Sequence, residues 1–149
     1  MARVLLVCLG NICRSPTAEA VMRAKAAGMD IEVDSAGTGA WHRGNPPDPR
    51  SVAAGQRRGY DFSGQTARQV TDADFETFDH ILAMDADNLA ALQARCPREH
   101  HHKIDLFLSV LPDAPDSVPD PYYGGPDGFE TVLDLVERAS DIWTDRLSR

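Results

Sequence analysis

Short apolar runs and longer amphipathic stretches alternate along the chain. Four apolar runs predict β-strands, at residues 4–9, 31–35, 80–84 and 103–106. Apolar residues spaced three and four apart predict helices at residues 16–27, 49–58, 72–78, 86–94 and 128–147. Strands that alternate with helices indicate βα units on a parallel sheet. The pattern therefore predicts an α/β fold, in which a doubly wound four-stranded parallel sheet carries helices on both faces.

Local start signals support several of these helices. Ser15 followed by Pro16 is typical of an N-cap and a first helical position, and Asp48 also precedes a proline. Thr71 with Asp74 resembles a capping box. These signals predict helix starts close to the positions that the apolar spacing indicates.

Length and composition are consistent with one domain over residues 1–149, because 42% of the chain is hydrophobic. A formal net charge of −8 argues against binding to nucleic acid, which requires a basic surface. The apolar run near the start is too short to cross a membrane and lacks the features of a secretion signal. We therefore expect a cytoplasmic protein that binds no membrane, as a monomer or a weak homodimer.

The cysteines and histidines do not predict a metal site. Cys8, Cys13 and Cys96 are an odd number and lack paired Cys-x2-Cys spacing, which also argues against a disulfide framework. Adjacent side chains in the histidine run at 100–102 diverge on a helix or strand, so this run predicts a solvated loop. We expect the protein to use no metal and no cofactor.

The loop after the first strand carries the chemistry that the sequence indicates most clearly. It spans seven residues, with Cys8 at one end and Arg14 at the other. Backbone N–H groups in such a loop, together with the dipole of the following helix, favour a dianion and a nucleophilic thiolate. Arg14 adds a planar fork for two phosphate oxygens. The predicted phosphate-binding residues are Leu9, Gly10, Asn11, Ile12, Cys13, Arg14 and Ser15. The alternative is that Cys8 is a small buried residue of a core strand and Arg14 a solvated one.

The segment from Val7 to Glu19 resembles the signature of the low-molecular-weight protein tyrosine phosphatases. Further marks of that family follow in order along the chain, and they are Ser35-Ala36-Gly37-Thr38, Ala67-Arg68-Gln69, Met84-Asp85 with Asn88-Leu89, and Asp120-Pro121-Tyr122-Tyr123-Gly124-Gly125. The resemblance implies a metal-independent phosphatase that acts through a cysteinyl-phosphate on phosphotyrosine-containing proteins, opposed by a tyrosine kinase. For the sheet we expect a flavodoxin-like strand order.

The resemblance also implies roles for residues outside the loop ends. Asp120 is expected to protonate the leaving group and then activate water, beside Cys8 and Arg14 as catalytic residues. Asn11, Ser15 and Ser35 are expected to support the loop, Ser15 by donating a hydrogen bond to the thiolate. Routine turn and capping chemistry is the alternative for all three.

Aromatic residues in the two long loops predict a substrate pocket. Trp41 lies in one of these loops, and Tyr122 and Tyr123 lie in the loop of Asp120. Together they could form the walls of a deep slot that favours phosphotyrosine over phosphoserine, although each could instead pack against its own loop.

One position departs from the family pattern. Relatives often carry a histidine three residues before the arginine of the Ala-Arg-Gln segment, where this chain has Gln65. An amide both donates and accepts, so the network that it joins can persist without a titrating member.

Two other functions remain as alternatives from the sequence. A thioredoxin-coupled arsenate reductase shares the fold and loop but needs a downstream pair of cysteines, and only Cys96 is present. A non-catalytic phosphotyrosine-binding module would not need Cys8, Arg14 and Asp120 together.

Cys8 and Cys13 share one loop, and similar loops in the family form a disulfide, so we expect a reversible redox pair.

Overall fold

The computed structural model describes residues 1–113, 115–121 and 126–148. Four strands, β1 (Ala2–Cys8), β2 (Ile31–Gly37), β3 (His80–Ala83) and β4 (Ile104–Leu106), form one sheet in the order β2-β1-β3-β4. Every neighbouring pair is parallel. This arrangement confirms the predicted parallel sheet and its flavodoxin-like strand order.

Five α-helices connect and follow the strands. They are α1 (Arg14–Lys25), α2 (Pro49–Gln56), α3 (Asp72–Thr77), α4 (Ala86–Arg95) and α5 (Pro126–Leu147). Two 3-10 helices, Arg98–Lys103 and Phe107–Val110, flank β4. The Asp48 carboxylate accepts a hydrogen bond from the Arg50 amide at the start of α2, and Thr71 and Asp74 form the predicted capping box of α3.

The central strand β1 is buried on both sides. Val4 and Leu6 point into one apolar cluster with residues of α1 and α5, whereas Leu5 and Val7 point into a second cluster with residues of α3 and α4. A strand covered on both faces is apolar at successive positions, which explains the continuous run in the sequence. Helices therefore cover both faces of the sheet, as predicted.

The long helix α5 covers the apolar cluster that contains Val4 and Leu6. Its apolar stripe is buried against α1 and the sheet, and the Trp143 Nε1 group donates to the Phe107 carbonyl oxygen over 2.7 Å. Glu130 and Glu137 of this helix both bind Arg58, which follows α2. Packing and ion pairs thus anchor α5, whose start follows the segment that carries Asp120.

Two local predictions are wrong in detail. Helix α1 begins at Arg14 and not at Pro16, and Ser15 is not its N-cap, because the Ser15 hydroxyl lies within hydrogen-bonding distance of the Cys8 thiol. The histidine run lies in a 3-10 helix rather than a loop, and the His101 ring is hydrogen-bonded to the Cys96 carbonyl oxygen. In both places the side chain makes a hydrogen bond that the local sequence pattern does not reveal.

Within the described ranges, no helix combines the length and the apolar character that crossing a membrane requires.

Candidate active site

The loop from Cys8 to Ser15 joins the end of β1 to the start of α1. Several of its carbonyl oxygens accept hydrogen bonds from other segments: the Thr38 and Gly39 amides donate to the Cys8 and Leu9 oxygens, both over 2.9 Å. The Asp48 backbone amide donates to the Ile12 carbonyl oxygen over 2.7 Å. Hydrogen bonds to these carbonyl oxygens therefore fix the position of the loop.

The amide groups of the same loop remain available as donors. Those of Leu9, Gly10, Ile12 and Cys13 bond to no other described residue. The first amides of a helix likewise have no partner within the helix, so the start of α1 adds donors to the same row. Successive free amides at a helix start form a concavity suited to an anion.

Asn11 is the residue that gives the loop its curvature. Its φ of 57° is the only positive value at a non-glycine position among the described residues. Asparagine tolerates this left-handed conformation better than most residues. The side chain then bonds in three directions, donating to Ser15 Oγ over 2.8 Å and to Ser35 Oγ over 3.0 Å, and accepting from the Arg68 amide over 3.0 Å.

The Cys8 thiol is buried at the base of this loop. Its Sγ lies 3.0 Å from Ser15 Oγ and accepts a hydrogen bond from the Asn11 amide over 3.2 Å. Both groups therefore contact the sulfur atom from within the loop and its helix start. The predicted nucleophile and two of the predicted supporting residues, Asn11 and Ser15, are thus brought together.

Arg14 is held beside the thiol by residues from two other segments. Nη1 lies 2.6 Å from Asp85 Oδ2 and donates to the Val118 carbonyl oxygen over 3.2 Å. Burial disfavours the guanidinium charge, but the neighbouring Cys8 and Asp85 outweigh this effect, so the pKa of Arg14 lies above its ordinary value. The side chain is only 4% exposed, so its fork has a defined direction.

Asp120 lies on the opposite side of the guanidinium. Its Oδ2 is 3.7 Å from Arg14 Nη2, and the side chain is 40% exposed. Its segment is tied to the sheet because the Val118 amide donates to the Met84 carbonyl oxygen over 2.7 Å. Cys8, Arg14 and Asp120 all line one cavity of about 400 Å³.

Trp41 and His42 form a wall of this cavity. The Trp41 ring, 73% exposed, packs over Gly39, where a Cβ atom would lie 1.8 Å from the indole. His42 packs over Gly10, where a Cβ atom would lie 2.9 Å from the imidazole. Glycine at both positions therefore leaves space for the Trp41 and His42 rings. The predicted wall residues Tyr122 and Tyr123 lie outside the described residues.

A buried polar network continues behind the loop. Ser35 Oγ donates to Glu19 Oε1 over 2.7 Å, and Arg23 pairs with the same carboxylate over 2.8 Å. Burial raises the pKa of Glu19 above its ordinary value, and the bonds from Ser35 and Arg23 oppose this shift only in part. Ser35 therefore connects the Asn11 side chain to a buried carboxylate.

Gln65 does not join this network directly. Its Nε2 donates to the Pro16 carbonyl oxygen over 3.1 Å, while its buried Oε1 has no partner among the described residues. The Asn11 side chain instead bonds to two serines and the Arg68 amide. The support of the loop therefore persists with Gln65 at the position where relatives often have histidine.

The third cysteine lies far from the loop in the fold. Cys96 packs in the apolar cluster on the other face of the sheet from Cys8, and its thiol donates to the Pro97 carbonyl oxygen. A relay of disulfides between Cys8 and Cys96 would have to cross the sheet. Across residues 1–113, 115–121 and 126–148, no group of three or more His, Cys, Asp and Glu side chains could hold a metal ion.

The sequence assigned no role to Asp85 or His42, although both contribute to the site. The signal for Asp85 was available, because a polar residue directly after a strand of a parallel sheet lies at the ligand-binding edge. His42 has no comparable signal, since its place over Gly10 depends on the path of a long loop.

Comparisons with known proteins agree with this architecture. The family model described as low molecular weight phosphotyrosine protein phosphatase matches residues 3–149. The human low molecular weight phosphotyrosine protein phosphatase is 46% identical over 149 residues, covering 96% of this chain and 94% of the relative. The low molecular weight protein-tyrosine-phosphatase YfkJ of Bacillus subtilis is 45% identical over 142 residues, covering 92% of this chain and 90% of the relative.

Solved structures show the same similarity. A protein tyrosine phosphatase from Entamoeba histolytica superposes with a TM-score of 0.94 at 41% identity, covering 99% of this chain and 97% of that chain. The fold and the cysteine–arginine loop define a phosphate-binding α/β protein. The chain belongs to the low molecular weight phosphotyrosine protein phosphatase family.

Proposed function

We propose that this protein hydrolyses phosphotyrosine in protein substrates through a cysteinyl-phosphate intermediate. The observation that carries the proposal is one cavity lined by the Cys8 thiol, the Arg14 guanidinium and the Asp120 carboxylate. A nucleophile, a cation for the phosphate oxygens and a proton donor are the three components that this reaction requires.

In the first step the Cys8 thiolate attacks phosphorus and the bond to the tyrosine oxygen breaks. Asp120, in its protonated form, transfers its proton to that oxygen, so tyrosine leaves as a neutral phenol. The exposed position of Asp120 at the cavity suits contact with a leaving group that extends outward. The product of this step is phosphate bound covalently to Cys8.

Arg14 and the loop amides stabilise the negative charge on the phosphate oxygens during this step. The free amides of the loop bind the equatorial phosphate oxygens, and the Arg14 fork binds two of them at once. Asp85 holds Arg14 in place, so no reorganisation of the guanidinium is needed as the transition state forms.

In the second step water replaces the cysteine. The Asp120 carboxylate now accepts a proton from the attacking water, the S–P bond breaks, and inorganic phosphate and the Cys8 thiolate are released. Ser15 and the Asn11 amide stabilise the departing thiolate through the bonds that they make to Sγ.

The cavity supports phosphotyrosine as the substrate class. The Trp41 ring at its wall offers an aromatic surface to the phenyl ring of the substrate. We include Tyr122 and Tyr123 as further walls, as the sequence predicts. A phosphoserine side chain has no ring to pack against this surface, so we expect phosphoserine to be the poorer substrate.

Hydrolysis of para-nitrophenyl phosphate tests the reaction. We expect activity that resists EDTA and is blocked by vanadate, and a loss of about a thousandfold or more in Cys8→Ser. The matched control is Cys96→Ser, which makes the same change on the other face of the sheet and should retain activity. Activity of Cys8→Ser within tenfold of the wild type would rule out the nucleophile.

The role of Asp120 is tested with a series of aryl phosphates. Asp120→Asn should lose more kcat/KM with poor leaving groups than with activated ones, because only poor leaving groups depend on the donated proton. Asp116→Asn changes an exposed aspartate in the same segment and is the control. Equal losses across the series would assign the proton to another group.

We also propose that Cys13 protects Cys8 from irreversible oxidation. Both thiols are free and lie in one loop. Burial, together with the nearby Asp48 carboxylate, raises the pKa of Cys13 to about 12, so Cys13 remains a thiol while Cys8 is the site of attack by peroxide. The Cys8 sulfenic acid then condenses with the Cys13 thiol, forming a disulfide and releasing water.

Mass spectrometry after limited peroxide tests this pairing. We expect a Cys8–Cys13 disulfide, reversal of inactivation by dithiothreitol, and faster irreversible loss in Cys13→Ser than in Cys96→Ser. A Cys8–Cys96 disulfide would contradict the pairing and would favour the arsenate reductase alternative.

A further inference from the structure

Arg43 is a cation without a partner beside the candidate active site. Its exposed side chain forms no ion pair or hydrogen bond with any described residue. The chain has 23 acidic and 15 basic residues, so most of its cations find a carboxylate, and an unpaired arginine next to a residue of the active-site wall needs an explanation.

The other unpaired arginines lie at the far end of the sheet. Arg98 and Arg146 also lack a partner in the described part of the chain, but Arg98 follows the carboxyl end of α4 and Arg146 lies near the start of β1. Cys8 lies at the opposite end of β1. Among these three cations, only Arg43 directly follows a residue that lines the active-site cavity, His42.

The backbone around Arg43 is held in a defined position. The Arg43 amide donates to the Ala40 carbonyl oxygen, and the Gly44 amide donates to the Ala67 carbonyl oxygen over 2.8 Å. His42, the preceding residue, lines the active-site cavity. The Arg43 side chain therefore starts one residue from the wall of that cavity.

A second, smaller cavity of about 200 Å³ lies at Arg43. Arg43 and Arg68 both line it, but they differ in availability. The Arg68 guanidinium is bound by Asp74 and Asp34, at 2.9 and 3.2 Å. Arg43 therefore provides the available positive charge in this cavity.

We propose that Arg43 binds an acidic side chain of the substrate, within about three residues of its phosphotyrosine. A guanidinium binds a carboxylate through two parallel hydrogen bonds. An extended peptide advances about 3.3 Å per residue, so a flanking residue reaches past the wall formed by Trp41 and His42. This inference rests on the proposed function and narrows its substrates to acidic phosphotyrosine sites.

The net charge of −8 makes this contact selective. An acidic peptide is repelled by the protein as a whole, so its recognition requires a local cation. The contact is exposed to solvent, where an ion pair changes binding by about two- to fivefold, and salt should reduce the effect.

The test compares two phosphotyrosine peptides that differ only in having Glu or Gln at the flanking positions. The readout is the ratio of their kcat/KM values, with para-nitrophenyl phosphate as a reference without flanking residues. We expect the wild type to prefer the Glu peptide by about two- to fivefold at low salt, and Arg43→Ala to reduce this ratio to one or below. Arg43→Glu should favour a peptide with Lys at the same positions.

Arg146→Ala and Arg98→Ala are the matched controls, because each removes one unpaired positive charge at the far end of the sheet. They should retain the preference for Glu. Equal rates for the two peptides in the wild type, an unchanged preference in Arg43→Ala, or an equal loss in the controls would each overturn the inference. A wild type that hydrolyses neither the peptides nor para-nitrophenyl phosphate would instead refute the proposed function.

Discussion

Replacing Asn11 separates the two contributions that this residue makes to the loop. Asn11→Ala and Asn11→Gly both remove the three side-chain hydrogen bonds to Ser15, Ser35 and the Arg68 amide. Only the alanine variant also forces a Cβ atom into the left-handed conformation at φ 57°. The difference between the two variants therefore measures the backbone contribution, and their shared loss measures the bonds.

The structure sets the magnitude of each contribution. A hydrogen bond contributes about 0.5–1.5 kcal/mol net. Ser15 and Ser35 keep other partners, the Cys8 thiol and the Glu19 carboxylate, so neither hydroxyl is left unsatisfied. The lower part of the range applies, and we expect Asn11→Gly to lose about 2 kcal/mol of unfolding free energy. Asn11→Ala should lose about 1 kcal/mol more, because of the left-handed backbone.

Urea unfolding followed by circular dichroism measures these free energies. A stability of about 5–15 kcal/mol is typical of such a domain, so both variants should remain folded for kinetic assays. Activity toward para-nitrophenyl phosphate and inhibition by inorganic phosphate then report on the loop. We expect both to weaken, and to weaken more in Asn11→Ala, since the amide donors depend on the same backbone conformation.

Two results would refute this reasoning. Equal stability of the alanine and glycine variants would show that the left-handed conformation of Asn11 carries no measurable cost. Losses below about 0.5 kcal/mol in both, with phosphate inhibition unchanged, would show that the three bonds do not support the loop.

Two further predictions concern acidic residues that bind arginines. Asp85→Asn keeps an N-cap for α4 but removes the charge that holds Arg14, so we expect kcat/KM for para-nitrophenyl phosphate to fall about tenfold or more. Asp87→Asn, the same change on the exposed first turn of α4, should have little effect, and equal losses in the two variants would contradict the positioning role. Burial opposes ionisation of Asp74, but Arg68 outweighs it and holds the pKa of Asp74 below its ordinary value. The wild type should therefore be more stable than Asp74→Asn above the unfolded pKa of about 3.9, and this advantage should disappear as pH falls through the lower folded pKa. Melting temperatures at neutral and acid pH measure it, and a difference that persists unchanged in acid would contradict the assignment.

The sequence predicted the parts of this protein whose cause is local. Apolar positions indicated the four strands, and the central strand β1 gave the clearest pattern because a strand buried on both faces is apolar at successive positions, as Val4–Val7 are. The cysteine and arginine of the loop were predictable because a turn between a strand and a helix start offers amide donors to an anion whatever packs around it. Helix boundaries were less predictable: α1 starts two residues early because the Ser15 hydroxyl bonds in the active site rather than capping the helix.

The tertiary structure decided which distant residues complete the site. Arg14 and Asp85 are 71 residues apart in sequence, and they meet because β3 lies beside β1 in the sheet. The segment of Asp120 is held next to the end of β3, because the Val118 amide donates to the Met84 carbonyl oxygen. His42 and Arg43 lie beside the cavity because a loop is anchored to the Ala67 segment. Local patterns determine the conformation of a segment, but they carry no information about which segment will be its neighbour, and that pairing is set by packing of the whole chain.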